Sequence, residues 1–200
     1  MTDAELIERY LKGDIDAFNT LIWRWEKPLY NFILRTIGNR ELAKDLCQTV
    51  FIRMYKQLKT LKDHEKFSSW IYRIAINLCK DEFKKRGRHR LVSLNALTDE
   101  DPGKDQVKHQ FSDPNADSPE DIMQNHQVEV IIKNALKQIP DEQRVVIVMK
   151  QYQGLKFTEI AEILDEPINT VKSRLYYGLR AMKKVLEASN LSKEVLLNEM

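Results

Sequence analysis

Apolar positions in residues 1–90 recur every three or four places and are interrupted by glycine, asparagine and polar clusters, the signature of consecutive amphipathic helices. Thr2 and Glu5 have capping-box spacing ahead of Leu6, Ile7, Tyr10 and Leu11, and Gly13 can close that helix in a left-handed conformation. A longer helix carries Phe18, Leu21, Ile22, Trp25, Leu29, Phe32, Ile33 and Ile37 on one face, with Pro28 expected to kink it and Gly38 to end it. Asn39 caps a third, whose buried stripe is Leu42, Leu46, Val50, Phe51, Met54 and Leu58. The polar loop TLKDHEKFSS leads to Ser69, the expected cap of a fourth helix. There Ile71, Ile74, Ala75, Leu78 and Cys79 alternate with Arg73, Asn77, Lys80, Lys84 and Lys85, up to the basic run KKRGRHR.

The pattern lapses in residues 91–124, which hold three of the six prolines and many Asp, Asn and Ser, and it resumes after them. Val128, Ile131, Ile132, Ala135 and Leu136 mark a helix ending at Ile139-Pro140. Asp141 opens a Val- and Ile-rich helix that Gly154 closes. Two more helices, Thr158 to Leu164 and Asn169 to Leu186, are separated by Asp165-Glu166-Pro167-Ile168, where Pro167 forbids continuous helix. The chain therefore reads as all-α, with two small helical domains at 1–90 and 125–187, a flexible linker at 91–124 and a tail at 188–200. That tail can form a short amphipathic helix of unassigned use.

Charge sharpens this division. Lys and Arg outnumber Asp and Glu by 19 to 12 in residues 1–90, fall to 2 against 8 in 91–124, and stand at 11 against 10 in 125–200. An acidic linker thus separates a basic and a near-neutral block. Only 6 Gly and 6 Pro in 200 residues argue against a sandwich or barrel, which needs frequent turns. Cys47 and Cys79 lie apart in apolar stretches with no ligand spacing around them, so neither a structural zinc nor a disulfide framework is expected, and a reducing cytosol is the natural setting. The acidic amino terminus lacks a secretory pattern, and apolar runs such as Val145 to Met149 fall far short of the ~20 residues that span a bilayer. No nucleophile elbow or phosphate-cradling glycine loop is present, and His64, His89, His109 and His126 each stand alone as ordinary polar residues. Bond chemistry and a cofactor are therefore not expected.

The last two helices carry the clearest chemistry. Ile160, Ala161, Leu164, Ile168, Val171 and Leu175 make the buried corner of a helix-turn-helix, and Val171, Leu175, Leu179 and Met182 are expected on the core face of its second helix. Lys172, Ser173, Tyr176, Tyr177, Arg180 and Lys184 then point outward. Five basic residues and no acid between Val171 and Leu186 suit phosphate contact and base reading in a major groove, although a solvated basic face has the same pattern. Asp165 and Glu166 in the turn count against close approach to phosphates.

The string FTEIAEILDEPINTVKSRLYYGLRAMKK resembles the promoter-reading carboxy-terminal domain of bacterial sigma factors. DLCQTVFIRMY followed by FSSWIYRIAINLCKDEFKKRGR resembles the polymerase-binding and minus-ten-recognising helices of the same sigma-70 family. The two motifs, in that order and without a middle domain, are similar to the extracytoplasmic-function (ECF) group over roughly residues 3 to 187. The resemblance implies a sigma domain 2-like unit at 1–90 and a sigma domain 4-like unit at 125–187, which together direct initiation by core RNA polymerase. It implies docking on the clamp coiled coil of the largest polymerase subunit through Asp45, Gln48, Phe51 and Arg53, with Thr49 standing where relatives often carry an acid, and a second contact to the flap. It implies minus-ten contacts from Leu61, Phe67, Trp70, Arg73, Asn77, Lys80 and Lys84, with Trp70 and Phe67 equally readable as core wedges. It implies minus-thirty-five contacts from Lys150, Thr158, Lys172, Ser173, Tyr176, Tyr177 and Arg180, with Asn169 and Tyr177 departing from the common Gly and basic residue. The acidic linker would follow the RNA exit path or act as a plain tether. A membrane-associated anti-sigma protein would restrain the chain, which itself would not insert in a membrane. The rival reading is a stand-alone helix-turn-helix regulator that binds duplex operator without polymerase.

Overall fold

The structure, a computed structural model, describes residues 1–95 and 119–188, with side chains described for 1–86, 128 and 130–188. Every regular element among the described residues is helical. The order is α1 (Asp3–Leu11), α2 (Ile15–Ile37), α3 (Arg40–Gln57), α4 (Phe67–Asn95), α5 (Pro119–Gln138), α6 (Asp141–Ile147), α7 (Phe157–Leu164) and α8 (Ile168–Ala188).

The caps follow local chemistry. Thr2 and Glu5 close a reciprocal capping box on α1, and the Asp14 carboxylate accepts from the Asp16 and Ala17 N–H groups to start α2. Gly38, at φ 76°, ends α2 in the left-handed region that a residue with a Cβ avoids. The α2 helix runs unbroken past Pro28. The fourth helix starts earlier than the expected Ser69 cap. Asp63 caps a 3-10 turn, His64–Lys66, that passes directly into α4 at Phe67, so Ser69 lies inside the helix. Helix also takes both ends of the expected linker, because α4 extends to Asn95 and α5 begins at Pro119. The rest of the acidic stretch, 96–118, and the tail from 189 lie outside the described residues.

The core is shared. Leu6, Leu21, Leu29, Phe32, Val50, Met54, Ile71 and Ile76 from α1–α4 belong to one buried cluster with Val146, Met149, Ile160, Ile163 and Val171 from the second half. Trp25 meets Phe67 and Tyr72 edge-on at 5.6 and 5.5 Å, and Tyr72 meets Phe32 at 5.1 Å, which locks α2 to α4. Phe67 is therefore core, not a surface for DNA. Across the two halves, the Tyr72 hydroxyl donates to Gln153 Oε1 at 2.6 Å, and the Arg35 guanidinium lies 4.4 Å from the centre of the Tyr152 ring.

Leu179, expected in the core, is 42% exposed, and Gly178 is buried in its place. A Cβ on Gly178 would come within 2.8 Å of Ile147 Cδ1 and 3.1 Å of Gln143 Cβ, so α8 rides directly on α6 there. The face of α8 that meets α6 is therefore centred on Gly178, and Leu179 lies outside it.

Candidate nucleic-acid interface

The corner between α7 and α8 is built from a left-handed residue and an ion-pair pin. Asp165 closes α7 at φ 56°, and the Glu166 N–H donates to the Ala161 carbonyl at 3.0 Å. Arg174 then bonds Glu166 at 2.7 Å and Glu142 at 2.9 Å, tying the turn and α6 to α8. The Glu166 carboxylate, expected to oppose phosphates, is thus matched by a guanidinium. With α8 set by this pin and by Gly178, the side chains of Lys172, Ser173, Tyr176, Tyr177 and Arg180 are all exposed on one continuous face. The Tyr176 and Tyr177 rings meet at 5.5 Å. Thr158 is exposed at the start of α7. Lys150 is placed differently from the others: it donates to the Leu155 carbonyl at 3.1 Å and sits 5.1 Å from the Phe157 ring, bracing the π-helical turn Val148–Tyr152 against α7.

A second polar row runs along α4. Trp70, Arg73, Asn77, Lys80 and Lys84 fall at helical spacing on one side, with Arg73, Asn77 and Lys84 exposed and Trp70 and Lys80 half-buried. Trp70 rests on Phe67 at 5.8 Å, half wedge and half surface, and Leu61 is half-buried against the core. This row is not open to solvent along its length. The last turn of α7 lies across it: Lys66 pairs with the Glu162 carboxylate at 3.0 Å, Arg73 donates to the Glu162 carbonyl, and Lys80 donates to the Leu164 carbonyl at 3.5 Å.

On α3, Asp45 and Gln48 are exposed, with Phe51 and Arg53 half-buried at the two edges of that face. The amphipathic pattern did not single out Trp23, Ile52 and Tyr55, which are 79%, 55% and 59% exposed on α2 and α3. An aromatic at a polar position of α2's stripe was the available signal. Trp23, Gln48 and Phe51 line one wall of a groove of about 890 Å³ whose other wall comes from α5 and Tyr152.

Two helical modules, one with an exposed basic face on a helix-turn-helix and the other with a cation-bearing helix, have the arrangement of a helical nucleic-acid-binding protein. Residues 21–89 match the sigma-70 region 2 family and residues 129–182 match sigma-70 region 4. The chain is 30% identical to the RNA polymerase sigma-H factor of Pseudomonas aeruginosa over 92% of its own length and 94% of that protein's. It is 33% identical to the ECF RNA polymerase sigma factor SigW of Bacillus subtilis, covering 90% and 94% of the two chains. In fold it is similar to the sigma factor RpoE solved in complex with the anti-sigma factor NepR from Bartonella quintana, with a TM-score of 0.64 at 19% identity over 85% of this chain and 96% of that one. The chain belongs to the sigma-70 family, in its ECF group, and is a promoter-directing sigma factor. That membership leaves the stand-alone regulator without support.

Proposed function

We propose that this sigma factor reads its promoters in two parts, minus-thirty-five duplex with α8 and minus-ten as a captured single strand with α4, while α3 docks on the polymerase clamp. The observation that carries this is the presence of two separate polar rows on two modules, one mixing cations with paired tyrosines, the other placing an amide beside cations and a half-open tryptophan. Lys172 and Arg180 donate to phosphate or guanine edges, and the tyrosines pack on sugar or thymine methyl. Asn77 offers a donor and an acceptor to an unstacked base, Trp70 a surface for it to lean on, and Arg73, Lys80 and Lys84 follow the backbone. Each element is held weakly and the shared polymerase raises the effective concentration of the second contact.

The protein itself breaks no bonds in this scheme and works in the cytoplasm. No helix among the described residues is long and apolar enough to cross a membrane. An anti-sigma protein, associated with the membrane, restrains it; the structural relative bound to an anti-sigma factor supports such a partner. The test is permanganate footprinting of unpaired thymines by holoenzyme on a promoter that this chain activates. Opening at the minus-ten element that is lost in Asn77→Ala while core binding persists supports the division of labour. Opening unaffected by Asn77→Ala contradicts it.

A further inference from the structure

Away from the DNA faces, cations gather in one further place, the groove between the α2–α3 wall and the wall made by α5 and Tyr152. Lys27, Arg35, Arg40, Lys44, Lys133 and Lys137 all line it, and Glu26 is the single acid among the described residues that do. Among the described residues, Lys27, Arg40, Lys44 and Lys137 have no carboxylate at ion-pair distance. Like charges around a shared space repel one another, and a polyanion seated between them removes that cost.

The groove is graded along its length. The Lys137 stem crosses the corner between α2 and α3 so closely that a Cβ on Gly38 would stand 3.1 Å from its Cε, and Arg35 and Arg40 flank the same corner. Arg35 is stacked 4.4 Å from the centre of the Tyr152 ring, which fixes the plane of the guanidinium and directs its N–H edges to in-plane acceptors such as phosphate. Trp23, largely exposed, stands about 18 Å from Arg35 along the α2 axis, on the same wall as Phe51. Four rings, Trp23, Tyr30, Phe51 and Tyr152, line the groove against two aliphatic side chains, Leu34 and Leu136, so its apolar surface suits the flat face of a base. At about 890 Å³ it lies within the roughly 300–1,000 Å³ of small-molecule sites.

We propose that this groove binds a nucleoside polyphosphate, with the phosphates at the corner of Arg35, Arg40 and Lys137 and the base against Trp23, Tyr30 and Phe51. The seat shares Gln48 and Phe51 with the docking face of α3, so an occupied groove competes with core polymerase. That competition rests on the assignment of α3 to the clamp; the binding itself does not.

The test is calorimetric titration of the full chain with ATP and GTP at physiological salt, with adenosine and tripolyphosphate as the two halves of the ligand. Arg40→Gln with Lys137→Gln removes two exposed charges and keeps most of each stem, and Trp23→Ala removes an exposed ring. At least one nucleotide should bind at a single site, about tenfold or more tighter than either half, and the double variant should lose about tenfold or more of that affinity. Trp23→Ala should weaken the nucleotide and leave tripolyphosphate unchanged. Absence of nucleotide binding, equal binding of tripolyphosphate, or unchanged binding by the double variant would each overturn the site. Core binding is then compared with and without nucleotide for the wild type and the double variant. Weakening in the wild type alone supports the competition; an equal effect on both overturns it, while the calorimetry decides the site.

Discussion

Single residues set both the reading surfaces and the joints beneath them. Asn77→Ala removes one donor and one acceptor from an exposed helix face and disturbs no packing. Open-complex formation should fall by about fivefold or more, equivalent to about 1 kcal/mol of hydrogen bonding, with core binding and thermal midpoint unchanged. Lys172→Ala should weaken holoenzyme binding to upstream duplex by about 1–3 kcal/mol, measured by mobility shift, and leave minus-ten opening on preformed bubbles intact. The turn between α7 and α8 supplies a backbone test. Asp165 sits at φ 56°, so Asp165→Val should cost about 1–2 kcal/mol in urea unfolding, while Asp165→Gly should be close to neutral. The aspartate was visible in the sequence as an acid near phosphates. Its conformational role was not, because a left-handed position is set by the angle at which two helices must meet.

Among elements, helix identity was legible wherever an apolar stripe met a local cap. Thr2, Asn39, Gly38 and the Pro167 break all mark boundaries through chemistry within a few residues of themselves. Where the deciding contact comes from another helix, the stripe misleads. Leu179 continues the apolar spacing of Val171 and Leu175, yet the bare backbone at Gly178 lets α6 approach so closely that the axis of burial shifts to the glycine. Gly178→Leu should force α8 from α6 at a cost of about 1–3 kcal/mol, and because Arg174 is pinned to the turn it should also weaken minus-thirty-five binding; Leu179→Ala should do neither. The same reasoning explains Phe67, which follows a polar loop in the sequence but is enclosed by Trp25 across the bundle.

At the scale of the molecule, the sequence shows two modules and the charge of the stretch between them, while their mutual packing comes from pairs far apart in the chain. Tyr72 and Gln153 are 81 positions apart and Lys66 and Glu162 are 96, distances over which no periodicity carries information. The candidate reading residues were nevertheless legible, because motif order placed Asn77 and Lys172 on separate helices before any coordinates. Hidden were the backbone partners of Arg73 and Lys80 and the exposure of Trp23, Ile52 and Tyr55. With one element read by each module, this sigma factor should direct polymerase to promoters with two spaced elements. That expectation is tested most directly by multi-round transcription with purified bacterial core polymerase on a genomic-fragment library, with and without the chain, mapping every start. Starts that depend on the chain and share two elements at fixed spacing are expected; no new starts, with duplex binding by the chain alone, would overturn that reading.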